Sequence, residues 1–142
     1  IISSALSITL AQRLVRKLCQ FCKKEASPTE EEAGLIKKIV DRAKTEGNAP
    51  ELISLSEKEI KIFARVGCDK CNNTGYKGRI GVFEAILMDE EVEKVINQNP
   101  SEREIKKIAL PQQIPDMAED GILKVLKGIT TLEELGRVVE IV

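Results

Sequence analysis

Cys19-Gln20-Phe21-Cys22 and Cys68-Asp69-Lys70-Cys71 are two C-x-x-C pairs, and together they contain all four cysteines of the chain. Two residues between thiols allow one short turn to direct both sulfurs at a single ion, and a second pair completes a tetrahedron. Because four protein ligands leave no position for a substrate, such a site is structural rather than catalytic. We therefore predict a structural Zn²⁺ site. Its ligands are Cys19, Cys22, Cys68 and Cys71.

Other uses of the thiols are also compatible with the sequence. Disulfide bonds need an oxidising compartment, and nothing in the sequence indicates export. A thioredoxin-like redox motif needs only one pair and leaves the second pair unexplained. Four-sulfur coordination does not by itself distinguish zinc from iron. Lysines on both sides of the pairs can offset the negative charge of a metal tetrathiolate. They are Lys17, Lys23, Lys24, Lys70 and Lys77.

The composition excludes several classes of protein. The 142 residues include 22 Lys and Arg against 23 Asp and Glu, and this balance argues against a nucleic-acid binder. Histidine is absent, which excludes His-dependent nucleophilic catalysis and every His metal ligand. The sequence has neither a G-x-x-x-x-G-K-[ST] loop nor a G-x-G-x-x-G turn. We therefore expect no catalytic residues, no nucleotide site and no enzymatic activity in this chain alone.

The first ten residues carry no positive charge, so they do not have the form of a signal peptide. They also contain no Met, and we expect the chain to begin inside a longer polypeptide. No apolar run reaches the length of a membrane-spanning helix.

Alternation of apolar and polar residues predicts strands on both sides of the cysteine pairs. Leu6–Leu10 alternates clearly, and Lys61–Val66 alternates weakly. Ile80–Ile86 is predicted to form a strand after a turn, and Gly78 and Gly81 indicate a bulge or a close backbone approach.

Helix-capping patterns predict where several helices begin. Ser27-Pro28-Thr29-Glu30 has the form of a capping box with Pro at the first helical position, and the helix is predicted to end at Gly47. Asn48–Ser56 is predicted to be a loop. Short helices follow residue 89, with capping boxes at Ser101–Glu104 and Thr131–Glu134. Because each helix is short, it must be stabilised by packing against its neighbours.

Four stretches occur in an order that closely resembles the C-terminal end of the type II secretion and type IV pilus assembly ATPases. Each stretch alone is a weak signal, whereas the ordered set is specific. The resemblance covers roughly residues 5–24 and 60–142. The stretches are residues 11–19 (AQRLVRKLC), 67–71 (GCDKC), 74–84 (TGYKGRIGVFE) and 120–135 (DGILKVLKGITTLEEL).

The resemblance implies a part of a larger motor. These ATPases resemble RecA-type hexamers that bind ATP and Mg²⁺ and drive pilus or pseudopilus assembly at the cytoplasmic face of the inner membrane. They dock on an inner-membrane platform protein. This chain matches only their C-terminal part, so ATP and Mg²⁺ belong to the parent protein, and the fragment lacks the nucleotide-binding motifs.

We accordingly predict an α+β fold, in which a small zinc-bound tetracysteine subdomain with short strands precedes a C-terminal helical subdomain. Residues 1–18 are predicted to end the RecA-like ATPase core. Residues 19–83 are the tetracysteine subdomain, with a helical insertion at about 25–59. Residues 84–142 are the helical subdomain.

The zinc module is predicted to act as a rigid support that positions basic side chains against a neighbouring subunit or a membrane partner. The candidates for the subunit interface are Arg13, Arg16 and Arg79. Arg79 can equally pair with Glu84 or Asp69 within the chain. The alternative function is a free-standing zinc-binding adaptor for proteins or nucleic acid, although the near-zero net charge weighs against nucleic acid.

Overall fold

The structure is a computed structural model, and it describes residues 2–56 and 60–141. It has the predicted α+β composition, with four strands, seven α-helices and two short 3-10 helices in the described residues. The strands are β1 (Ile8–Leu18), β2 (Lys24–Ala26), β3 (Ile62–Ala64) and β4 (Tyr76–Leu87). The helices are α1 (Ile2–Ala5), α2 (Glu30–Glu46), α3 (Pro50–Ile53), α4 (Glu90–Ile96), α5 (Glu102–Ala109), α6 (Met117–Leu126) and α7 (Leu132–Val138). Within this part of the chain, no helix has both the length and the apolar character needed to cross a bilayer.

The two long strands, β1 and β4, pair antiparallel from Ile8 opposite Leu87 to Leu18 opposite Tyr76. The register shifts after Arg16, so that one residue of β1 lies opposite two of β4. One of these two is Gly78, whose φ of 82° is readily adopted only by glycine. The bulge predicted from this glycine is confirmed. β4 extends beyond its predicted segment at both ends, whereas β1 begins at Ile8 rather than at the predicted Leu6 and continues to Leu18.

The two faces of this sheet differ in burial. Val15 and Val82 are buried in the core, against α6 and the C-terminal helices. The opposite face carries large apolar side chains that are more than a third exposed. They are Ile8, Leu10, Leu14, Phe83 and Leu87, and we call this set the apolar sheet face.

Helix α2 begins two residues later than predicted. The N-cap is Thr29, whose hydroxyl accepts the backbone N–H of Glu32 at 3.2 Å. The prediction of a capping box from Ser27 with Pro28 as the first helical residue is therefore wrong, because the three glutamates after Thr29 supply the first turn. The end at Gly47 is confirmed, and its φ of 71° is the left-handed conformation that glycine adopts without strain.

Residues 30–53 form part of the main core. Ile36 and Ile39 of α2 are fully buried and belong to the same apolar cluster as Ile122 and Leu135 of the C-terminal helices. The predicted loop at 48–56 is wrong in part, because Pro50–Ile53 forms α3. A Pro at the first helical position favours this helix, and burial of its Leu52 stabilises it.

Side-chain caps begin the C-terminal helices, and one further side chain fixes α6 to the sheet. Ser101 forms the predicted capping box of α5, and Thr131 accepts the backbone N–H of Glu134 at 3.1 Å at the start of α7. Helix α6 has a further capping box, from Asp116, that was not predicted. Asp120 of α6 accepts the backbone N–H of Phe83 at 2.8 Å, so that α6 is fixed to β4.

Candidate metal centre

The four cysteines lie in two turns that the β1–β4 pair brings together. Cys19 directly follows β1, and the 3-10 turn Asp69–Cys71 precedes β4. The backbone N–H of Cys19 donates to the carbonyl of Gly75 at 2.9 Å, which ties the first turn to the second. The site is therefore positioned by strand pairing and by turn geometry, with no large core of its own.

The sulfur positions fit a single tetrahedral ion. All four Sγ atoms lie within 4.8 Å of one another. The Sγ–Sγ distances are 3.8 Å for Cys19 and Cys68, 3.9 Å for Cys22 and Cys71, and 3.7 Å for Cys68 and Cys71. A tetrahedron with sulfur about 2.3 Å from a central metal has edges of about 3.8 Å. The residues at this site are thus arranged to hold one metal ion.

These distances also bear on the disulfide alternative. A disulfide bond joins sulfur atoms about 2.05 Å apart. The measured separations are nearly twice that length, and all four cysteines are free thiols in this structure.

Backbone N–H groups point at two of the sulfurs. Cys71 Sγ accepts from the backbone of Cys68 at 3.2 Å and of Gly75 at 3.3 Å. Cys22 Sγ accepts from Gly67 at 3.4 Å. Such donors stabilise thiolates and are typical of the groups that surround metal-bound sulfur. The geometry therefore favours the charged form of the ligand that a cation requires.

Two glycines make this approach possible. Gly67 has a φ of 114°, and a Cβ at this position would lie 2.9 Å from the carbonyl oxygen of Asn73. Gly75 has a φ of 80°, and its Cβ would lie 2.5 Å from Cβ of Arg65. Larger side chains at either position would move the N–H groups away from sulfur.

The thiol pKa values differ strongly within the cluster. Burial opposes ionisation of Cys71, but the N–H donors of Cys68 and Gly75 outweigh it and lower the pKa of Cys71 to about 6. The backbone N–H of Gly67 favours the thiolate of Cys22, but burial and the three neighbouring thiols outweigh it and raise its pKa to about 11. Four thiolates this close together repel one another unless a cation lies between them.

The lysines around the cysteines have two kinds of contact. Nζ of Lys70 lies 3.9 Å from the ring centre of Phe21, and that of Lys77 lies 5.8 Å from it. Phe21 is 64% exposed. Nζ of Lys23 lies 4.8 Å from the ring centre of Phe63 and donates to the carbonyl of Gly128 at 2.8 Å. This bond connects the first cysteine turn to the residues that follow α6.

The three candidate interface arginines occupy different environments. Arg16 is held within the chain, since its guanidinium donates two hydrogen bonds to Glu134, at 2.8 and 3.1 Å. Its guanidinium carbon also lies 4.3 Å from the ring centre of Tyr76. Arg13 and Arg79 are exposed, and within residues 2–56 and 60–141 neither forms an ion pair. Glu84 pairs with Lys106.

Sequence reasoning did not identify Glu134 or Tyr76 as partners of Arg16. Thr131–Glu134 is recognisable as a capping pattern, but the carboxylate of Glu134 is used for Arg16 and Arg137. The hydroxyl of Tyr76 lies 2.8 Å from that of Thr131. These contacts join residues far apart in the chain, so no local pattern signals them.

Comparison with known proteins places nearly the whole chain in one family. The family described as type II/IV secretion system protein matches residues 1–137. The chain belongs to this family. The predicted resemblance to the type II secretion and type IV pilus assembly ATPases is thereby confirmed.

Several relatives align with nearly all of the chain. A type IV pilus assembly ATPase, PilB, of Thermus thermophilus is 38% identical over 98% of this chain and 14% of its own length. The type II secretion system protein E of Aeromonas hydrophila is 38% identical over 97% of this chain and 24% of its own length. PilB of Pseudomonas aeruginosa is 34% identical over 96% of this chain and 22% of its own length. The chain thus spans less than a quarter of the length of each of these curated relatives.

Proposed function

We propose that this chain is the metal-binding and helical portion of a secretion or pilus assembly ATPase, with a structural role in coupling ATP hydrolysis to assembly. The observation that carries the proposal is the cluster of four sulfurs at tetrahedral spacing, in a chain related to such ATPases along almost its whole length. The remainder of the parent polypeptide supplies the ATP and Mg²⁺ sites.

The metal is proposed to be Zn²⁺, bound by all four thiolates. Zinc accepts four sulfur ligands in tetrahedral geometry and leaves no open position when all four are protein groups. Binding at such sites contributes on the order of 10–16 kcal/mol, much of it as folding free energy. Here it would fix the turn after β1 to the turn before β4.

The apolar sheet face supports the proposed place of residues 1–18 at the end of the ATPase core. An exposed apolar face on a strand pair is typical of a surface that packs against further protein. The relatives are more than four times as long as this chain. We assign the apolar sheet face to contact with the ATPase core of the same polypeptide, and residues 19–83 and 84–142 to the tetracysteine and helical subdomains.

A set of contacts fits the coupling role, because it connects the metal-binding turns to the C-terminal helices. The backbone N–H of Leu18 donates to the carbonyl of Ile129 at 2.8 Å, beside the contact of Lys23 with Gly128. The ion pair of Arg16 with Glu134 then holds α7 to β1. A displacement of β1 would move α7 with it.

The parent protein is proposed to be a cytoplasmic hexamer that binds peripherally at the inner membrane through a platform protein. The exposed Arg13 and Arg79 are the candidates to contact a neighbouring subunit. Arg16 contributes to that interface by holding α7 in place.

The proposal is tested in the full-length polypeptide with Cys71→Ser and, as a matched control, Gln20→Ser, which alters an exposed position inside the first C-x-x-C turn. Cys71→Ser is expected to lower both metal content and ATP hydrolysis, while Gln20→Ser leaves both unchanged. Full ATPase activity and full assembly function in a metal-free Cys71→Ser protein would contradict the proposal. Salt-dependent nucleic-acid binding by the protein would favour the adaptor alternative.

A further inference from the structure

A buried polar cluster lies where the end of α2, the residues after it and the start of α6 meet. Glu119 in the first turn of α6 is fully buried, and Asn48 is 5% exposed. In the described part of the chain, the buried side-chain atoms without a hydrogen-bond partner all belong to this cluster. They are Nε of Arg42, Oδ1 of Asn48 and Oε2 of Glu119.

The hydrogen bonds of Glu119 are one-sided. Its Oε1 accepts from Nδ2 of Asn48 at 2.8 Å and from the backbone N–H of Asp116 at 3.3 Å. Its Oε2 accepts none, and neither does Oδ1 of Asn48. The two side chains that share one hydrogen bond thus each have a second buried oxygen without a donor. Leaving such atoms unpaired is unfavourable.

The charged groups that face Glu119 do not compensate a negative charge on it. Arg42 of α2 is bound to Asp116, with Nη2 2.6 Å from Oδ2, and lies 3.7 Å from Oε1 of Glu119. One guanidinium therefore faces two carboxyl groups. Burial, together with the neighbouring Asp116 carboxylate, raises the pKa of Glu119 to about 7. Two acidic residues lie on other elements that pack against α6, Glu51 on α3 and Glu84 on β4. They are paired with Lys127 and Lys106, respectively.

We propose that Glu119 is a protonated carboxylic acid below neutral pH, and that its Oε2–H donates to Oδ1 of Asn48. The proton makes Oε2 a donor and Oδ1 of Asn48 its acceptor, so that each orphaned oxygen gains a partner and the two side chains form a paired acid–amide bridge. This bridge joins the segment that contains α3 to the start of α6. Ionisation of Glu119 removes the donor and buries a negative charge, so the bridge acts as a proton-dependent latch on residues 48–53.

The sign of the pH effect follows from linkage. Between the ordinary value of 4.5 and about 7, the folded state binds a proton at Glu119 that the unfolded state does not. The stability that the bridge contributes is complete below 4.5 and is lost as the pH rises through 7. The folding equilibrium constant is expected to fall on the order of a hundredfold across this window.

The first test is direct observation of the Glu119 carboxyl carbon by ¹³C NMR during a pH titration of the wild-type protein with zinc. The resonance, assigned through its own backbone, is expected to titrate near neutral pH. A midpoint at or below the ordinary glutamate range would overturn the proposal, and this reading does not depend on whether any variant folds.

The second test uses Glu119→Gln, which keeps the donor at every pH, and Glu102→Gln as an exposed control from a neighbouring helix. Denaturation midpoints relative to wild type are compared from pH 5 to 8 at constant zinc, so that titration of the thiols cancels. Glu119→Gln is expected to gain stability relative to wild type as the pH rises, and Glu102→Gln is not. Hydrogen exchange of residues 49–53 is expected to be slower in Glu119→Gln than in wild type at pH 8. Equal hydrogen exchange in Glu119→Gln and wild type, together with a difference in denaturation midpoint that does not change with pH, would contradict the latch.

Discussion

Nη2 of Arg16 lies 2.8 Å from Oε2 of Glu134, whose side chain is only 3% exposed. The backbone N–H of Arg16 donates to the same carboxylate at 3.1 Å. Arg16 of β1 is thus bound to α7 by both its main chain and its side chain. In the sequence, β1 precedes the two cysteine turns and α7 follows them. This contact makes Arg16 a structural residue, with consequences that differ from those of the exposed Arg13 and Arg79.

Glu134→Gln is expected to destabilise the fold by about 2 kcal/mol, because it weakens a charge-assisted hydrogen bond at a buried position. Arg16→Ala should have a similar effect. The measurement is the free energy of unfolding in denaturant, with Glu133→Gln as the exposed neighbouring control. Equal stability of Glu134→Gln and Glu133→Gln would show that the ion pair contributes nothing.

The same contact predicts a loss of stability in acid. Hydrogen bonds from Arg16 lower the pKa of Glu134 to about 2, against an ordinary value of 4.5. A depressed pKa stabilises the fold above the ordinary value, and this stabilisation is lost as the pH falls from about 4.5 to 2. Stability measured across this range should fall less steeply in Glu134→Gln than in wild type. Parallel pH profiles would contradict the assignment.

Gly121 of α6 is expected to be intolerant of any side chain. A Cβ at this position would collide with the Leu135 side chain, which is fully buried where α6 packs against α7. Gly121→Ala should cost about 1–3 kcal/mol through overpacking. The control is Gly34→Ala within α2, where a Cβ meets nothing within 4 Å and a small gain from helix propensity is expected. Thermal unfolding of both variants tests this, and a gain in both would be the contrary result.

Gly75 is predicted to matter for metal retention beyond its backbone strain. Gly75→Ala would force a Cβ against Arg65 and move the N–H that donates to Cys71. Gly47→Ala is the matched control, because Gly47 also has a positive φ but has open space around it. Both variants should lose stability, and only Gly75→Ala should release metal faster to a chelator. Equal rates of metal release from the two variants would show that Gly75 has no specific role in metal retention.

The assignment of the apolar sheet face predicts the effect of a charge upon it. Leu10 is 59% exposed, so Leu10→Asp should leave this chain's own fold intact. In the full-length polypeptide the substitution should separate the apolar sheet face from the ATPase core. The polypeptide should then be more susceptible to limited proteolysis. Phe21→Asp, at an equally exposed apolar residue outside the sheet, serves as the control. Unaltered proteolysis of the Leu10 variant would refute this packing.

The cysteine cluster could be predicted from sequence because its information is local. Each C-x-x-C pair sets the position of two sulfurs within one turn, and only the meeting of the two turns needed the fold. The end of α2 was predictable for the same reason, since Gly47 alone permits the left-handed conformation found there.

Long-range contacts were not predictable in this way. The capping box at Asp116 is an exception, because its D-x-x-E pattern is local and has the same spacing as the other caps. The fully buried carboxyl of Glu119 and the arginine partner of Glu134 depend on packing between distant elements. Helix α3 likewise gains its stability from burial of Leu52 rather than from a periodic pattern, which four residues are too short to display.

Elemental analysis of metal content per chain tests the central claim most directly. The protein purified from cells without added metal, in the wild-type form and as Cys22→Ser, is the material to compare. The proposed tetrathiolate site predicts one zinc per wild-type chain, alkylation of the four thiols only after chelation, and a marked loss of zinc in the variant. A wild-type protein without metal, with its cysteines joined in disulfides, would contradict it.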